Sequence, residues 1–247
     1  MYLDEEVIVS FESPYRLRDL CIPEADSDGT DEYQINEQKF HIRMANSQGQ
    51  REAASLLIKK MYAWRGYSVE RPLDNQPNKI TLVTDTTGKT VGTMTLCLDL
   101  DSKLPADENF RDKLDELRAE GRRLCEPSRL AIEKDLPYRV FAAMIHISYM
   151  YAHNIHGFTD YVIEVNPRHA MFYKRMLGFK DLGVERTCTR VNAPAVLLRL
   201  EFEYMKEQIK KIGGLFENHG NVRSFYPYFF SRHDEPGITK RLKIGKT

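Results

Sequence analysis

The chain has 247 residues, a formal net charge of zero at pH 7 and a pI of about 7.1, so it lacks the global field that recruits nucleic acid or an anionic membrane. Its 4 cysteines, which are widely spaced, argue against a zinc site and a disulfide framework: Cys21, Cys97, Cys125 and Cys188. No apolar run approaches the roughly 20 residues that span a bilayer, and acidic residues near Met1 argue against a signal peptide. We therefore expect a soluble, cytoplasmic protein with one large domain.

Residues 1–39 are predicted to be an N-terminal extension, in which a strand-like VIVSF precedes an acidic linker from Glu24 to Glu37. From Phe40, FHIRMA alternates like a half-buried strand, and a helical run from Gln48 to Trp64 follows. Several residues of this helix are predicted to share its packed face: Ala53, Leu56, Leu57, Lys60, Met61 and Trp64.

Two β-rich segments, ITLVTD and TVGTMTLCLD, are joined by TTGK, whose glycine is typical of a hairpin turn. They predict an antiparallel pair of strands. The charged segment from Leu104 to Arg123 follows, with Phe110, Leu114 and Leu117 at spacings of four and three. This spacing predicts a surface helix with one buried stripe.

The stretch from Arg122 to Phe179 predicts strand, helix, strand and helix. Asn166 is suited to cap the second helix with its side chain, and Pro167 has the backbone angle of a first helical residue. Gly178 is expected to end this helix in a left-handed conformation, with a new strand beginning at Phe179. Four residues at helical spacing form its apolar face: Phe172, Tyr173, Met176 and Leu177.

The C-terminal part predicts a strand from Arg190 to Phe202 and a helix from Tyr204 to Phe216. The tail from residue 218 onward is rich in aromatic and basic residues. Its aromatic residues are Phe225, Tyr226, Tyr228, Phe229 and Phe230. They either pack on their own domain or form a lid over a lipid-like substrate. We divide the chain into the extension, a core of residues 40–202, and a C-terminal helix and tail of residues 203–247.

Asn166, Ala170 and Tyr173, followed by Gly178-Phe179, resemble the Asn…Ala…Tyr…Gly-Phe signature of the acyl-CoA N-acyltransferase (GNAT) superfamily. The resemblance to bacterial long-chain N-acyl amino acid synthases, relatives of the acyl-homoserine-lactone synthases, is closer. It is carried by the phrases LPADENFRDKLDELRAEGRRLCEPSRLAI, VNPRHAMFYKRMLGF and VNAPAVLLRL. Within the first phrase, Glu126 and Arg129 resemble the E-x-x-R element of the lactone synthases.

This resemblance implies an α/β fold with a mixed, mostly antiparallel central sheet and helices on both sides. It also implies an acyltransferase that moves a long-chain acyl group from acyl carrier protein to the α-amine of an amino acid, in one step and without a metal or a tightly bound cofactor. The segment from Leu104 to Arg123 would then either wall the acyl site or be a plain packing helix. The alternatives are an acetyl-CoA-dependent small-molecule N-acetyltransferase and a non-catalytic acyl-binding or regulatory module.

Glu126 is the predicted general base, because an amine with a pKa of roughly 7.7–8.0 must lose a proton before it attacks a thioester. Otherwise Glu126 forms an ion pair with Arg129 or Arg123. Pro127 cannot donate to a sheet ladder, so it predicts a bulge or a break in strand pairing. Such a break would open a gap for a pantetheine arm, and backbone N–H groups there would stabilise the tetrahedral intermediate.

Arg129 and Glu126 lie three residues apart, so a bulge at Pro127 is needed to bring them to one face of a strand. Arg129 would then bind the carboxylate of the acceptor, or serve as a core salt-bridge partner. The resemblance assigns Asn166 to substrate binding and Tyr173 to protonation of the leaving thiolate. Tyr173 is alternatively a packing residue.

The acyl donor is predicted from the stretch that follows the central strand, which contains no glycine. Acetyltransferases bind the coenzyme pyrophosphate with a glycine-rich loop, whereas the corresponding stretch here is EKDLPYRVF. This favours phosphopantetheine on acyl carrier protein over free acyl-CoA. Basic residues are predicted to form one landing patch for the acidic carrier, or else a mixed solvated face. They are Arg118, Arg122, Arg123, Arg168, Lys174 and Arg175.

Three histidines, His146, His153 and His156, lie on the predicted helix that begins near Tyr138. Because that helix is broadly apolar, we interpret them as core or helix-end residues and expect no metal site. Cys125 neighbours arginines, but no matched histidine and asparagine accompany it, so covalent catalysis is not expected.

Overall fold

The computed structural model describes residues 7–14, 37–63, 66, 73, 76–134, 136–189, 192–216 and 223–244. Its strands are β1 (Val7–Pro14), β2 (Glu37–Met44), β3 (Lys79–Thr86), β4 (Lys89–Leu98), β5 (Leu124–Ile132), β6 (Asp160–Val165), β7 (Lys180–Asp181), β8 (Arg186–Cys188) and β9 (Ala193–Glu201). Its helices are α1 (Gln48–Ala63), α2 (Asp107–Ala119), α3 (Tyr138–Tyr149), α4 (Pro167–Leu177), α5 (Phe202–Ile212) and α6 (Glu235–Ile244). A π-helical stretch, Met150–Ile155, continues α3, and Tyr226–Tyr228 is a 3-10 turn.

One sheet runs through the described part in the order β1-β2-β3-β4-β5-β6-β9-β7, and β8 pairs with β9. The β5–β6 pair is parallel and the other pairs are antiparallel. The predicted mixed, mostly antiparallel sheet is therefore confirmed. The strand-like VIVSF forms β1 at the edge of this sheet, while residues 15–36, including most of the predicted linker, lie outside the described residues.

The hairpin between β3 and β4 follows from its two turn residues. Thr87 has a φ of 48° and Gly88 a φ of 78°, as required by the two-residue turn whose twist matches that of paired strands. The predicted antiparallel pair is confirmed.

The helix α1 is present as predicted, but its predicted buried face is only partly correct: Leu57 and Met61 are buried, and Leu56 is not. Ala54, Leu57, Ile58 and Met61 are buried, whereas Leu56 is 67% exposed. The helix packs on β4 and β5, and this packing selects one of two overlapping apolar stripes. Trp64 lies outside the described residues.

The helices cover both faces of the sheet. On one face, α1 packs over Val83 and Ala131, and α2 buries its predicted stripe beside Val162 and Leu197. That stripe, Phe110, Leu114 and Leu117, is at most 3% exposed. On the other face, α3 to α6 form the main core. None of the described helices is long and apolar enough to cross a bilayer.

The central strands β5 and β6 separate after only two paired positions. Leu124 pairs with Asp160 and Cys125 with Tyr161. From there β5 stays with β4, while β6 stays with β9 as far as Val165. A gap therefore opens between neighbouring strands at Glu126, where the sequence predicts it.

The predicted bulge at Pro127 is wrong in position. Pro127 pairs with Leu96 in register, and the irregularity lies further along, between Thr93 and Thr95 of β4. Opposite them, Arg129 has a φ of 49°. A proline is tolerated in a paired strand where its missing N–H does not face the ladder, so Pro127 needs no bulge on the β4 side.

The helix α4 begins and ends as its sequence predicts. The side chain of Asn166 accepts a hydrogen bond from the N–H of Arg168 at 3.2 Å, with Pro167 in the first turn. Gly178 ends the helix with a φ of 86°. These terminal residues determine where α4 leaves β6 and where it stops.

We expect Gly178→Ala to lower the free energy of unfolding by about 1.5 kcal/mol, because an L residue is strained at this positive φ. An added Cβ would also overlap the ring of Tyr204. Gly49→Ala is the matched control, since a Cβ at Gly49 meets no atom within 4 Å. Chemical denaturation measures both variants, and equal stability of the two would contradict the strain argument.

Candidate active site

A cleft of about 1380 Å³ occupies the gap between β5 and β6. From β5 it is lined by Glu126 to Leu130, and from β6 by Tyr161, Ile163, Glu164 and Val165. Parts of α2, α3 and α4 complete its wall. All four residues predicted for catalysis and substrate binding line this one cleft: Glu126, Arg129, Asn166 and Tyr173.

The cleft lining is apolar on one face of the sheet and charged on the other. Towards α3 and α4 the wall is apolar and aromatic: Met94, Phe141, Ile145, Ile163, Phe172, Leu177 and Phe179. Towards the start of α2 the wall is charged: Lys103, Asp107, Glu108, Arg111, Glu126 and Glu164. An apolar compartment and a polar compartment therefore meet at the strand gap.

The first turn of α2 contacts a carboxylate on each of the diverging strands. Glu126 of β5 is 3% exposed, and its Oε2 accepts a hydrogen bond from the backbone N–H of Ala106 at 2.8 Å. Glu164 of β6 accepts one from Nδ2 of Asn109 at 2.7 Å. The positive end of a helix and its N–H donors stabilise negative charge. The helix start thus holds both carboxylates at the gap, through donors on residues 106 and 109.

The start of α2 is itself anchored on two sides. Asp107 accepts hydrogen bonds from the N–H of Leu104 at 2.8 Å and from the guanidinium of Arg118 at 2.7 and 2.8 Å. Arg186 of β8 donates to the carbonyl of Asn109 at 2.7 Å and lies over the ring of Phe110. The beginning of this segment, from Lys103 to Arg111, contributes to the cleft lining.

Asp112 completes the anchor between α2 and β8. It accepts two hydrogen bonds from Arg186, at 2.6 and 2.8 Å, and these lower the pKa of Asp112 to about 2. The pair therefore remains ionised at neutral pH.

Cys97 and Cys125 are not set up as nucleophiles. Cys97 pairs with Glu126 across β4 and β5, and burial, followed by the nearby Glu126 charge, raises the pKa of the Cys97 thiol to about 11. Burial also raises the pKa of Cys125 well above its ordinary value, and its thiol lies against the carbonyl of Asp160. Both are protonated at neutral pH, so the thiolate needed for attack is scarce.

The basic residues predicted to form one patch are divided between two places. Arg122 donates to the fully buried Asp160 at 2.7 Å, and Arg123 lies over the ring of Phe158. These two directly precede β5 and lie near the start of β6, whereas Asn166 follows the end of β6. Arg118, which the same patch included, is bound by Asp99, Asp107 and Asp115.

The remaining cations, Arg168, Lys174 and Arg175, lie on α4, where Arg168 and Arg175 are exposed. Lys174 pairs with Asp181. The predicted residues therefore lie in two places. Arg122 also neutralises Asp160, since a buried carboxylate requires a partner.

The histidines of α3 and its extension are core or helix-end residues, as the sequence predicts: His153 and His156 are half-buried near the helix end. His146 is fully buried, its Nδ1 accepts a hydrogen bond from the N–H of Phe230 at 3.1 Å, and its Nε2 lies 3.2 Å from Glu235. Nδ1 of His153 lies 2.9 Å from the carbonyl of Phe158. Within the described ranges, no three His, Cys, Asp or Glu side chains are grouped to hold a metal ion.

Sequence reasoning missed Glu164 and His169, which also line the cleft. The sequence did contain an indication of Glu164: it is a charged residue that follows the apolar run YVI in β6, two residues before Asn166. Strand alternation places such a residue on the same face as Val162, towards α2. His169 had no comparable signal, because it is an exposed residue in the first turn of a helix.

Solved structures share this architecture. FeeM, an N-acyl amino acid synthase from uncultured soil microbes, superposes with a TM-score of 0.61 at 23% identity, covering 69% of this chain and 94% of FeeM. An acyl-CoA N-acyltransferase from Pseudomonas aeruginosa gives a TM-score of 0.46 at 12% identity, covering 66% and 98%. The AHL synthase LasI gives 0.44 at 14% identity, covering 66% and 89%. The fold is that of the acyl-CoA N-acyltransferases.

The family follows from the sequence. The model of the N-acyl amino acid synthase FeeM family matches residues 53–201, which is more than half of the chain. The chain belongs to this family and is an acyltransferase. Among curated proteins, none matches it significantly.

We expect Arg186→Ala to loosen the start of α2, because it removes the bonds to Asn109 and Asp112 and the ring contact with Phe110. Amide hydrogens of Ala106 and Phe110 should exchange faster by roughly tenfold. Lys206→Ala, which removes only the surface pair with Glu203, is the control. Hydrogen exchange read by mass spectrometry decides the matter, and unchanged exchange in Arg186→Ala would show that β8 does not hold the helix start.

Proposed function

We propose that this chain transfers a long-chain acyl group from an acyl carrier protein thioester to the α-amine of an amino acid. The product is an N-acyl amino acid. One observation carries the proposal: an apolar compartment and a charged compartment meet at the strand gap, inside a single cleft. A fatty chain fits the first compartment and an amino acid fits the second.

The reaction is one direct displacement. The amine nitrogen attacks the thioester carbonyl carbon, a C–N bond forms and the C–S bond breaks. Glu126 takes the proton that the amine loses, and Tyr173 supplies a proton to the departing thiolate. What supports these roles is location, since both residues line the cleft and Glu126 is held by a backbone donor. No metal is needed at any step.

The thioester oxygen becomes negatively charged as the amine attacks. Beyond Cys125, the side of β5 that faces away from β4 has no pairing partner in β6. We infer that a backbone N–H beyond Pro127, which has none of its own, points into the gap and stabilises the developing charge. The preceding pairing with β4 keeps that backbone in place.

The acceptor amino acid is assigned to the charged compartment. Arg129 lines the cleft from the irregular turn of β5, and a guanidinium there suits the two oxygens of an α-carboxylate. Asn166 lines the cleft opposite it, from the end of β6. Glu164 lies between these strands and α2, and its charge complements the acceptor ammonium.

The donor is assigned by two features. No glycine lies between Glu133 and Phe141, so the backbone there cannot approach a pyrophosphate as a glycine-rich loop does. The outer face of α4 exposes two cations around two apolar side chains, at helical spacing: Arg168, Met171, Phe172 and Arg175. Phe172 also lines the cleft. A basic and apolar surface beside the entrance suits a strongly acidic carrier protein, and Arg122 and Arg123 are not part of it.

Product analysis tests the proposal directly. The purified chain, supplied with long-chain acyl carrier protein and a mixture of amino acids, should form N-acyl amino acids detectable by mass spectrometry. Only acetylated products, formed from acetyl-CoA, would indicate a small-molecule N-acetyltransferase instead. Bound fatty acyl groups without any product would indicate a non-catalytic binding module.

We expect Glu126→Gln to lower kcat by about a hundredfold or more, because the amide cannot accept the proton of the amine. KM for the acyl donor should stay nearly constant. Glu133→Gln is the matched control, as Glu133 lies at the end of β5 and pairs with Lys60 and Lys89 outside the cleft. Steady-state kinetics compares the variants, and a wild-type kcat in Glu126→Gln would remove Glu126 from the mechanism.

Charge reversal on α4 tests the docking surface. The double variant Arg168→Glu and Arg175→Glu should raise KM for the carrier-protein donor by about tenfold, since like charges meet. KM for an acyl-pantetheine donor should not change. Lys210→Glu with Lys211→Glu makes the same charge change on exposed positions of α5. Equal loss with both donors would argue against docking on α4.

A further inference from the structure

The C-terminal segment, residues 223–244, lies beyond residue 201, where the family match ends. It nevertheless belongs to the main core. Phe225, Tyr226 and Phe229 are at most 2% exposed, and Ile238 and Leu242 of α6 are buried with them. A segment outside the family match thus packs directly on the helices that border the cleft.

The segment is hydrogen-bonded to the end of α4. The N–H of Phe225 donates to the carbonyl of Met176 at 2.9 Å, and the hydroxyl of Tyr226 donates to the carbonyl of Leu177 at 2.7 Å. Carbonyls in the last turn of a helix have no partner within the helix. The segment satisfies two of them and so holds the end of α4 in place.

The segment is also held on α3, through His146. Burial lowers the pKa of this imidazole, so the ring is neutral near pH 7. Its Nδ1 accepts from the N–H of Phe230, which leaves the proton on Nε2 for donation to Glu235 of α6. The ring of Phe229 stacks on the same imidazole at 4.7 Å. Neither His146 nor Phe229 lines the cleft.

Phe225 lies between the two attachments, as a wedge between α3 and α4. Its ring centroid is 4.7 Å from that of Phe141 on α3 and 5.5 Å from that of Phe172 on α4. Phe141 and Phe172 line the apolar compartment, whereas Phe225 does not. Phe225 therefore contacts two cleft-lining side chains on their side that faces away from the cleft.

We propose that Phe225 is a positioning residue that sets the width of the apolar compartment and, through it, the acyl chains that the enzyme selects. The inference rests on the proposed function, in which the fatty chain lies between α3 and α4. Interiors are packed as densely as crystals, so a smaller side chain at residue 225 lets Phe141 and Phe172 move outward. The compartment then admits longer or bulkier chains.

The test compares Phe225→Leu and Phe225→Ala with Phe229→Ala. All three remove ring atoms from the same buried segment. The ring of Phe225 contacts the cleft-lining Phe141 and Phe172, whereas the ring of Phe229 stacks on His146, which does not line the cleft. With a mixture of acyl carrier proteins of graded chain length, the residue 225 variants should change the ratio of kcat/KM between long and short chains by about tenfold. Phe229→Ala should lower Tm and keep the wild-type ratio.

Two results would overturn the inference: a wild-type ratio in both residue 225 variants, or an equal change in Phe229→Ala. If Phe225→Ala does not fold, Phe225→Leu decides between these outcomes. The proposed function is checked separately, by whether the wild-type chain forms N-acyl amino acids at all. If it does not, direct binding of saturated fatty acids of increasing length still tests Phe225, because a changed order of affinities supports the inference and an unchanged order contradicts it.

Discussion

The separation of β5 from β6 is the constraint on which the rest of the structure depends. The two strands pair at only two positions, and Asp160 lies at the first of them. Asp160 is fully buried and accepts hydrogen bonds from Arg122 at 2.7 Å and Arg199 at 2.8 Å. A buried carboxylate is costly unless it is paired in this way. The ion cluster therefore joins the strands at one end, and the ladders to β4 and β9 draw them apart beyond it.

The cleft has a charged compartment and an apolar compartment because the gap between β5 and β6 passes through the sheet and opens on both of its faces. The α2 face supplies helix-end donors and charges, and the α3 and α4 face supplies aromatic side chains. The proposed reaction, amide formation from a fatty thioester, needs both, since a charged amino acid and a hydrocarbon chain must meet at one carbon atom. Glu126 lies at that boundary, on the strand that keeps its ladder, which fixes its position while the neighbouring strand departs.

Parts of the chain beyond the family match complete this arrangement. The family model ends at residue 201, yet α6 and the turn before it cover α3 and the end of α4. The predicted packing of the aromatic tail on its own domain is confirmed by the buried Phe225 and Tyr226. The C-terminal segment contacts the wall of the apolar compartment from the side away from the cleft. Because the interior is densely packed, a change in side-chain volume there can change the width of the compartment, although the segment does not line it.

The sequence by itself determined the features that depend on neighbouring residues: the Asn166 cap and the Gly178 stop of α4, the Thr87-Gly88 turn and the buried stripe of α2. Its motifs also predicted Glu126 and Tyr173 as site residues, and both line the cleft. Only the tertiary structure decided which stripe of α1 is buried, that the irregularity of β5 lies at Arg129, that Asn109 holds Glu164, and that Arg122 neutralises Asp160. Caps, turns and periodicity are short-range preferences of the backbone and are written in adjacent residues. Strand register and ion pairing join residues that are distant in the chain, so the packing of the whole sheet is needed to select one partner among many.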